Sequence, residues 1–233
     1  MKNLSKGLYI PIEALILYMV LFFPSALNFT SIGPPIQGSI SFSIHAEIIR
    51  FLTRIVPSLA LLWYIIIPGR NSDRENQEKE QLIPLKFSKG DLFSLGIALT
   101  GLISIVHGLS FMINLLYPYI NFALPPKIEA PNNIYGWIVL VFTCLASAYL
   151  EESYFRYYLI GKLEKEVPKA LPRLVFSTVL FSICHSYAGL FAIINAALAG
   201  ILLSLLFIRF KSLHGIGLAH GAYNLYVYLT SSV

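Results

Sequence analysis

The chain has 233 residues, of which 56% are hydrophobic, 14% aromatic and only 12% charged, and 17 Lys and Arg against 12 Asp and Glu give a net charge of +5. A soluble domain carries roughly 25% charged residues, and surface-to-volume scaling leaves a globule of this size too little interior for so much apolar surface. A disordered chain is excluded by the same numbers, so the solvent for most of this sequence is lipid. The positive charge does not point to nucleic acid. Basic residues sit between apolar runs, as the positive-inside rule asks, rather than in a stripe with interleaved aromatics.

A helix needs about 20 apolar residues to cross a ~30 Å hydrocarbon core. That length picks out seven candidates, 8–27, 44–67, 92–116, 135–155, 172–189, 190–208 and 215–232. The sequence therefore predicts an all-α, polytopic transmembrane helical bundle of about seven spans. The first run, behind Lys2 and Lys6, exceeds the roughly 7–15 apolar residues of a cleaved signal and reads as a retained anchor. The fifth and sixth touch near Gly189, which fits a tight hairpin or a partly re-entrant segment.

Lys and Arg alternate by loop. They occur in the polar linker 68–91 (Arg70, Arg74, Lys79, Lys86, Lys89), in 156–173 (Arg156, Lys162, Lys165, Lys169, Arg173) and before the last span (Arg209, Lys211). They are absent from 28–43, and 117–134 has only Lys127. This predicts a multi-pass protein with a cytoplasmic amino terminus and with 68–91 and 156–173 in the cytoplasm. The Pro- and Tyr-bearing loop 117–134 resembles an interfacial cap. Cys144 and Cys184 lie in apolar segments without metal-type spacing and read as buried thiols. The chain divides into amino-terminal helices with their linker, 1–134, and a carboxyl-terminal helical core, 135–233.

An ionisable residue near the bilayer centre costs roughly 2.5–3.5 kcal/mol on insertion scales, so each one asks for a reason. Such residues concentrate in the last third: Glu151-Glu152-Ser153-Tyr154-Phe155-Arg156, Phe181-Ser182-Ile183-Cys184-His185, and His220-Gly221-Ala222-Tyr223-Asn224. Glu152 and Arg156 stand four apart in the favourable order for an intrahelical ion pair. Glu151 lies about 100° round the helix and need not share that partner. Phe181 shares a face with His185, and His220 with Asn224. Glu151, His185, His220 and Asn224 come from three helices and are placed to converge on one cavity, opening toward the cytoplasm. Elsewhere Glu13, Glu47, Arg50 and Arg54 fall near span ends. His45, His107 and Asn195 read as interhelical hydrogen-bonding groups, and His214 as an interfacial loop residue.

The ordered set Glu151-Glu152-x-x-x-Arg156, Phe181-x-x-x-His185 and His220-x-x-x-Asn224 resembles the CAAX protease and bacteriocin-processing family, also called the Abi family. These are intramembrane endopeptidases related to the type II CAAX prenyl endopeptidase. The resemblance covers roughly 135–232. Members often carry Thr-Gly-Ser-Leu ahead of the last motif, where this chain has Phe210-Lys211-Ser212-Leu213. The resemblance implies that Glu151 activates a water, His185 helps hold it, and His220 and Asn224 stabilise the oxyanion, with Glu152 and Arg156 as structural support. Peptide hydrolysis needs just such a base and such donors.

No cofactor is expected. The alternative is a zinc set of Glu151, His185 and His220 with an open fourth position, which a local His-Glu-x-x-His arrangement would favour and this chain lacks. The implied partners are membrane lipid and a peptide or lipidated, hydrophobic protein substrate, in a bacterial-type plasma membrane. Two other function classes share these residues: a non-catalytic membrane immunity or partner protein of the same fold, and a small proton-coupled transporter.

Overall fold

A computed structural model of the chain describes residues 12–22, 39–66, 87–116, 127–164 and 167–231. Lys2, Lys6, most of the linker 68–91, Lys165 and the Pro-rich stretch 117–126 lie outside the described residues. Each of the seven predicted spans overlaps a helix, the fifth only as far as Ile183. Helix α1 is Ile12–Leu21. Helix α2 runs Ile44–Arg50, passes through a π-helical stretch Phe51–Ile55 and continues as Val56–Ile66. Helix α3 is Lys89–Leu116. Helix α4 is Ile134–Glu152, prolonged by a second π-helical stretch Ser153–Gly161 and a 3-10 turn Lys162–Glu164. Helices α5, Ala170–Ile183, α6, Leu190–Phe210, and α7, Leu213–Ser231, complete the bundle.

Four helices, Ile44–Ile65, Lys89–Leu116, Ile134–Glu164 and Leu190–Phe210, are long and apolar enough to cross a membrane. Helices α1 and α5 are apolar but shorter, at 10 and 14 residues. Helix α7 carries His214, His220 and Asn224, which dilute its apolarity. Two short strands add to the helices: β1 (Ser39–Ile40) pairs in parallel with β2 (Lys127–Ile128). This ladder joins two segments that read from the sequence as separate loops.

Local chemistry explains the boundaries. Ser43 caps α2 by accepting from the Ala46 N–H, and Asn133 caps α4 by accepting from the Gly136 N–H at 2.9 Å. Pro172 sits in the first turn of α5, where its missing N–H leaves no intrahelical bond unmade. Helix α6 ends with Lys211 in the left-handed conformation, φ 52°, its N–H closing on the Phe207 carbonyl at 2.8 Å. That is the position where the family pattern has glycine. Ser212 follows and accepts from the Gly215 N–H at 3.1 Å. It donates to Asp91 Oδ1 at 2.5 Å, which fastens the start of α7 to the start of α3.

A single apolar core runs from Leu17, Tyr18 and Phe22 through Tyr154, Phe155 and Phe181 to Leu203 and Ile216, all buried. Two of the tyrosines that enter it donate their hydroxyls to backbone carbonyls. Tyr154 donates to Ala14 at 2.6 Å and Tyr18 to Leu180 at 3.1 Å, which tie α1 to α4 and α5. The interhelical role expected for His107 and Asn195 is observed: His107 meets Tyr226 at 2.5 Å, and Asn195 donates to Tyr223 at 2.9 Å. His45 is instead exposed at the start of α2. His214 departs from its expected loop position. It belongs to α7 and meets the Tyr149 hydroxyl of α4 at 3.3 Å. Cys144 and Cys184 are free and buried.

Candidate active site

Helix α4 supplies both glutamates, and its length changes where they lie. Counted from Ile134, Glu151 is residue 18 of the 31 in the Ile134–Glu164 helix, close to its middle. The sequence places it late in a span ending near 155, because the apolar run breaks at Arg156. The chain stays helical beyond that point as a π-helix whose wider turn buries Tyr154, Phe155, Arg156, Tyr158, Leu159 and Ile160. An arginine read as the membrane edge is thus an interior residue.

The two adjacent acids are treated differently. Glu152 and Arg156 are both 0% exposed, and Arg156 Nη1 donates to Glu152 Oε1 at 3.1 Å. The same oxygen accepts from His220 Nδ1 at 2.7 Å. The guanidinium also reaches the Gly200 carbonyl at 3.4 Å and stands 4.4 Å over the Phe181 ring, so it joins α4, α5 and α6. Glu151 forms no ion pair with Arg156 among the described residues, as the helical spacing predicts, and its side chain remains 19% exposed. Its Oε2 lies 3.7 Å from His220 Nε2, so the imidazole stands between the two carboxylates. Close approach makes this bridge. A Cβ at Gly221 would fall 2.7 Å from Leu145 Cδ2 and 3.1 Å from Leu145 Cα, so only glycine lets the α7 backbone lie this near α4.

A cavity of about 240 Å³ opens beside Glu151, with His185, Cys184, Tyr187, Arg50 and Arg54 on its walls. His185 does not sit in a helix as the sequence suggests. Helix α5 ends at Ile183, and His185 lies in the turn that leads through Ser186–Ala188 to Gly189, at φ 89°. That positive φ is open to glycine at little cost and reverses the chain into α6. The Phe181–His185 relation survives the break, because His185 Nδ1 meets the Phe181 carbonyl at 2.8 Å. A carbonyl oxygen only accepts, so Nδ1 carries the proton and Nε2 is left as the accepting nitrogen.

The structure thus brings Glu151 and His185 to one cavity and sets His220 against both glutamates. His220 and Asn224 are not among that cavity's lining residues. Asn224 stands one turn beyond His220 on α7, half-buried. Among the described residues no group of three or more His, Cys, Asp and Glu is arranged to hold a metal ion. In the alternative zinc set, His220 Nδ1 serves Glu152 and His185 Nδ1 serves a carbonyl, so Nε2 is the nitrogen that each ring would offer a metal.

Arg50, Arg54, Cys184 and Tyr187 are cavity residues that the sequence does not single out. The available signal is two arginines four apart inside an apolar run, which by itself reads as a span end.

A cavity of mixed polar and apolar lining inside an apolar helical bundle, with a carboxylate and an imidazole on its wall, is the class of site observed. Residues 133–226 match the family model described as Type II CAAX prenyl endopeptidase Rce1-like. This agrees with the relationship that the three motifs indicate. The matched segment contains Glu151, Glu152, Arg156, His185, His220 and Asn224 and excludes α1, α2 and α3. No curated protein and no solved structure matched the chain.

Proposed function

We propose that this chain is an intramembrane endopeptidase of the CAAX protease type, which hydrolyses peptide bonds near the cytoplasmic membrane face with a water activated by Glu151. The observation that carries this reading is the division between adjacent acids. Glu152 is fully buried and bound to Arg156 and His220, while Glu151 faces a cavity that it shares with His185. A base must reach water, and a structural acid must not.

In the reaction, Glu151 takes a proton from a water that His185 Nε2 holds by accepting its second hydrogen. The resulting hydroxide attacks the peptide carbonyl carbon, and the oxyanion takes hydrogen bonds from Asn224 and from His220, which donates through Nε2 as an imidazolium because its Nδ1–H is committed to Glu152. Glu151 then returns the proton to the amide nitrogen as the C–N bond breaks. His220 rests on Glu152, so the Glu152–Arg156 pair positions that donor and acts on the reaction only through it. No step requires a cofactor or a metal. The partners are membrane lipid and a peptide or lipidated, hydrophobic protein, in a bacterial-type plasma membrane with the amino terminus in the cytoplasm.

Comparative membrane proteomics of wild type and a Glu151→Gln strain tests this reading. Uncleaved substrate is expected to accumulate in the variant strain. Its absence, with the variant present at normal abundance, favours the non-catalytic partner protein. Loss of solute uptake without any proteolytic change favours the transporter.

A further inference from the structure

The cavity beside Glu151 has a second wall that the hydrolytic reading does not use. Helix α2 contributes Arg50 and Arg54 to it, four residues apart and on one face. Arg54 is residue 11 of the 22 in Ile44–Ile65, so it stands in mid-helix and not at an end from which it would reach the interface. The π-helical stretch Phe51–Ile55 carries Arg54 and Ile55 to the cavity. Each arginine in an apolar span is costly, and one helical turn holds two.

Arg50 gives Nε and Nη2 to a single oxygen of Glu47, at 3.2 and 2.6 Å, which leaves its Nη1 edge for a second acceptor. Guanidinium groups bind carboxylates in preference to neutral acceptors because the bonds are charge-assisted and planar. The volume, about 240 Å³, lies below the ~300–1,000 Å³ of a drug-sized pocket and suits one side chain or chain end rather than a lipid headgroup.

We propose that Arg50 and Arg54 form a carboxylate-binding subsite beside Glu151, so that the protein selects peptide segments carrying a negative charge close to the reacting bond. Cleavage of the bound segment rests on the endopeptidase reading, but the binding itself does not. Both arginines lie outside the 133–226 segment that matches the family, so the subsite belongs to this chain's own amino-terminal helices.

The test uses the full chain in phosphatidylcholine nanodiscs, with Glu151→Gln to prevent turnover. The probes are one hydrophobic, fluorescently labelled peptide in three forms: an internal Glu with an amidated end, an internal Gln with a free carboxyl end, and an internal Gln with an amidated end. One of the two charged forms is expected to bind about tenfold more tightly than the neutral form, and which one it is identifies the source of the carboxylate. Arg54→Gln and Arg50→Gln are expected to bring the forms toward parity, whereas Arg54→Lys keeps most of the preference.

Equal binding of all three forms overturns the subsite, and so does a preference that survives both Gln variants. If phosphatidylglycerol abolishes the preference by competition, the arginines serve lipid phosphate and the proposal falls. Should a Gln variant fail to fold, the ranking of the three peptides on the Glu151→Gln chain alone still decides. A charge preference without cleavage by the wild type keeps the subsite and removes the endopeptidase; cleavage without a charge preference does the reverse.

Discussion

Replacing Arg156 with Ala removes the guanidinium from a place where nothing can substitute for it. Both members of the pair are 0% exposed, so no water replaces the bond to Glu152 Oε1. The bond to the Gly200 carbonyl and the 4.4 Å stacking over Phe181 are lost at the same time. Breaking a buried ion pair by removing one partner costs about 3–5 kcal/mol, because a charge is left buried without compensation. An exposed i, i+4 pair is worth only about 0.3–0.5 kcal/mol, so burial makes the difference. His220 Nδ1 still donates to Glu152, which sets the lower end of the buried range as the expected cost. Reversible unfolding in mixed detergent micelles, monitored by tryptophan fluorescence, measures it. The double variant Glu152→Gln with Arg156→Met is expected to recover most of the loss, since it leaves no buried charge from the pair. A cost below about 1 kcal/mol for Arg156→Ala would place the pair with exposed ones and refute the reasoning.

The same geometry carries other expected outcomes. Glu151→Gln is expected to unfold like the wild type, because its Oε2 has no hydrogen-bond partner among the described residues; a loss comparable to that of Arg156→Ala contradicts the division between the two acids. Combining Glu151→Gln with His185→Ala is expected to cost little more turnover than either change alone, while multiplied losses would show that the two act independently. Asn224→Ala is expected to lower turnover by about 10²–10³ if that amide serves the oxyanion, and unchanged turnover removes it from the site. Gly221→Val forces a side chain onto Leu145 and is expected to cost about 1–3 kcal/mol and to separate His220 from both acids, read as lost stability together with lost activity. Single cysteines at Ser72 and Lys165 are expected to resist labelling from outside intact cells, and labelling of either one reverses the orientation.

Hydrophobic run length made the helices legible, because a lipid solvent demands continuous apolar stretches. Helical spacing made the Glu152–Arg156 pair and the separate face of Glu151 legible, because i, i+4 geometry is local. The extension of α4 was hidden for a physical reason. A buried, paired arginine looks in sequence like a membrane boundary, and the π-helical stretch around it leaves no periodic mark. The break before His185 was hidden as well, since the turn at Cys184–Gly189 keeps the 181–185 contact that a continuous helix would also give. The arginine wall of the cavity depends on α2 packing beside α4, a tertiary contact that no spacing within either helix predicts. The β1–β2 ladder is equally non-local, pairing residues 39–40 with 127–128.

Hydrolysis of a peptide by the purified chain in lipid, compared between wild type and Glu151→Gln after thorough chelation, tests the central claim most directly. The account predicts that the wild type cleaves and keeps its activity without metal, while the folded Glu151→Gln protein does not cleave. Cleavage by Glu151→Gln at the wild-type rate, or activity in the wild type that returns only when zinc is added, would contradict it.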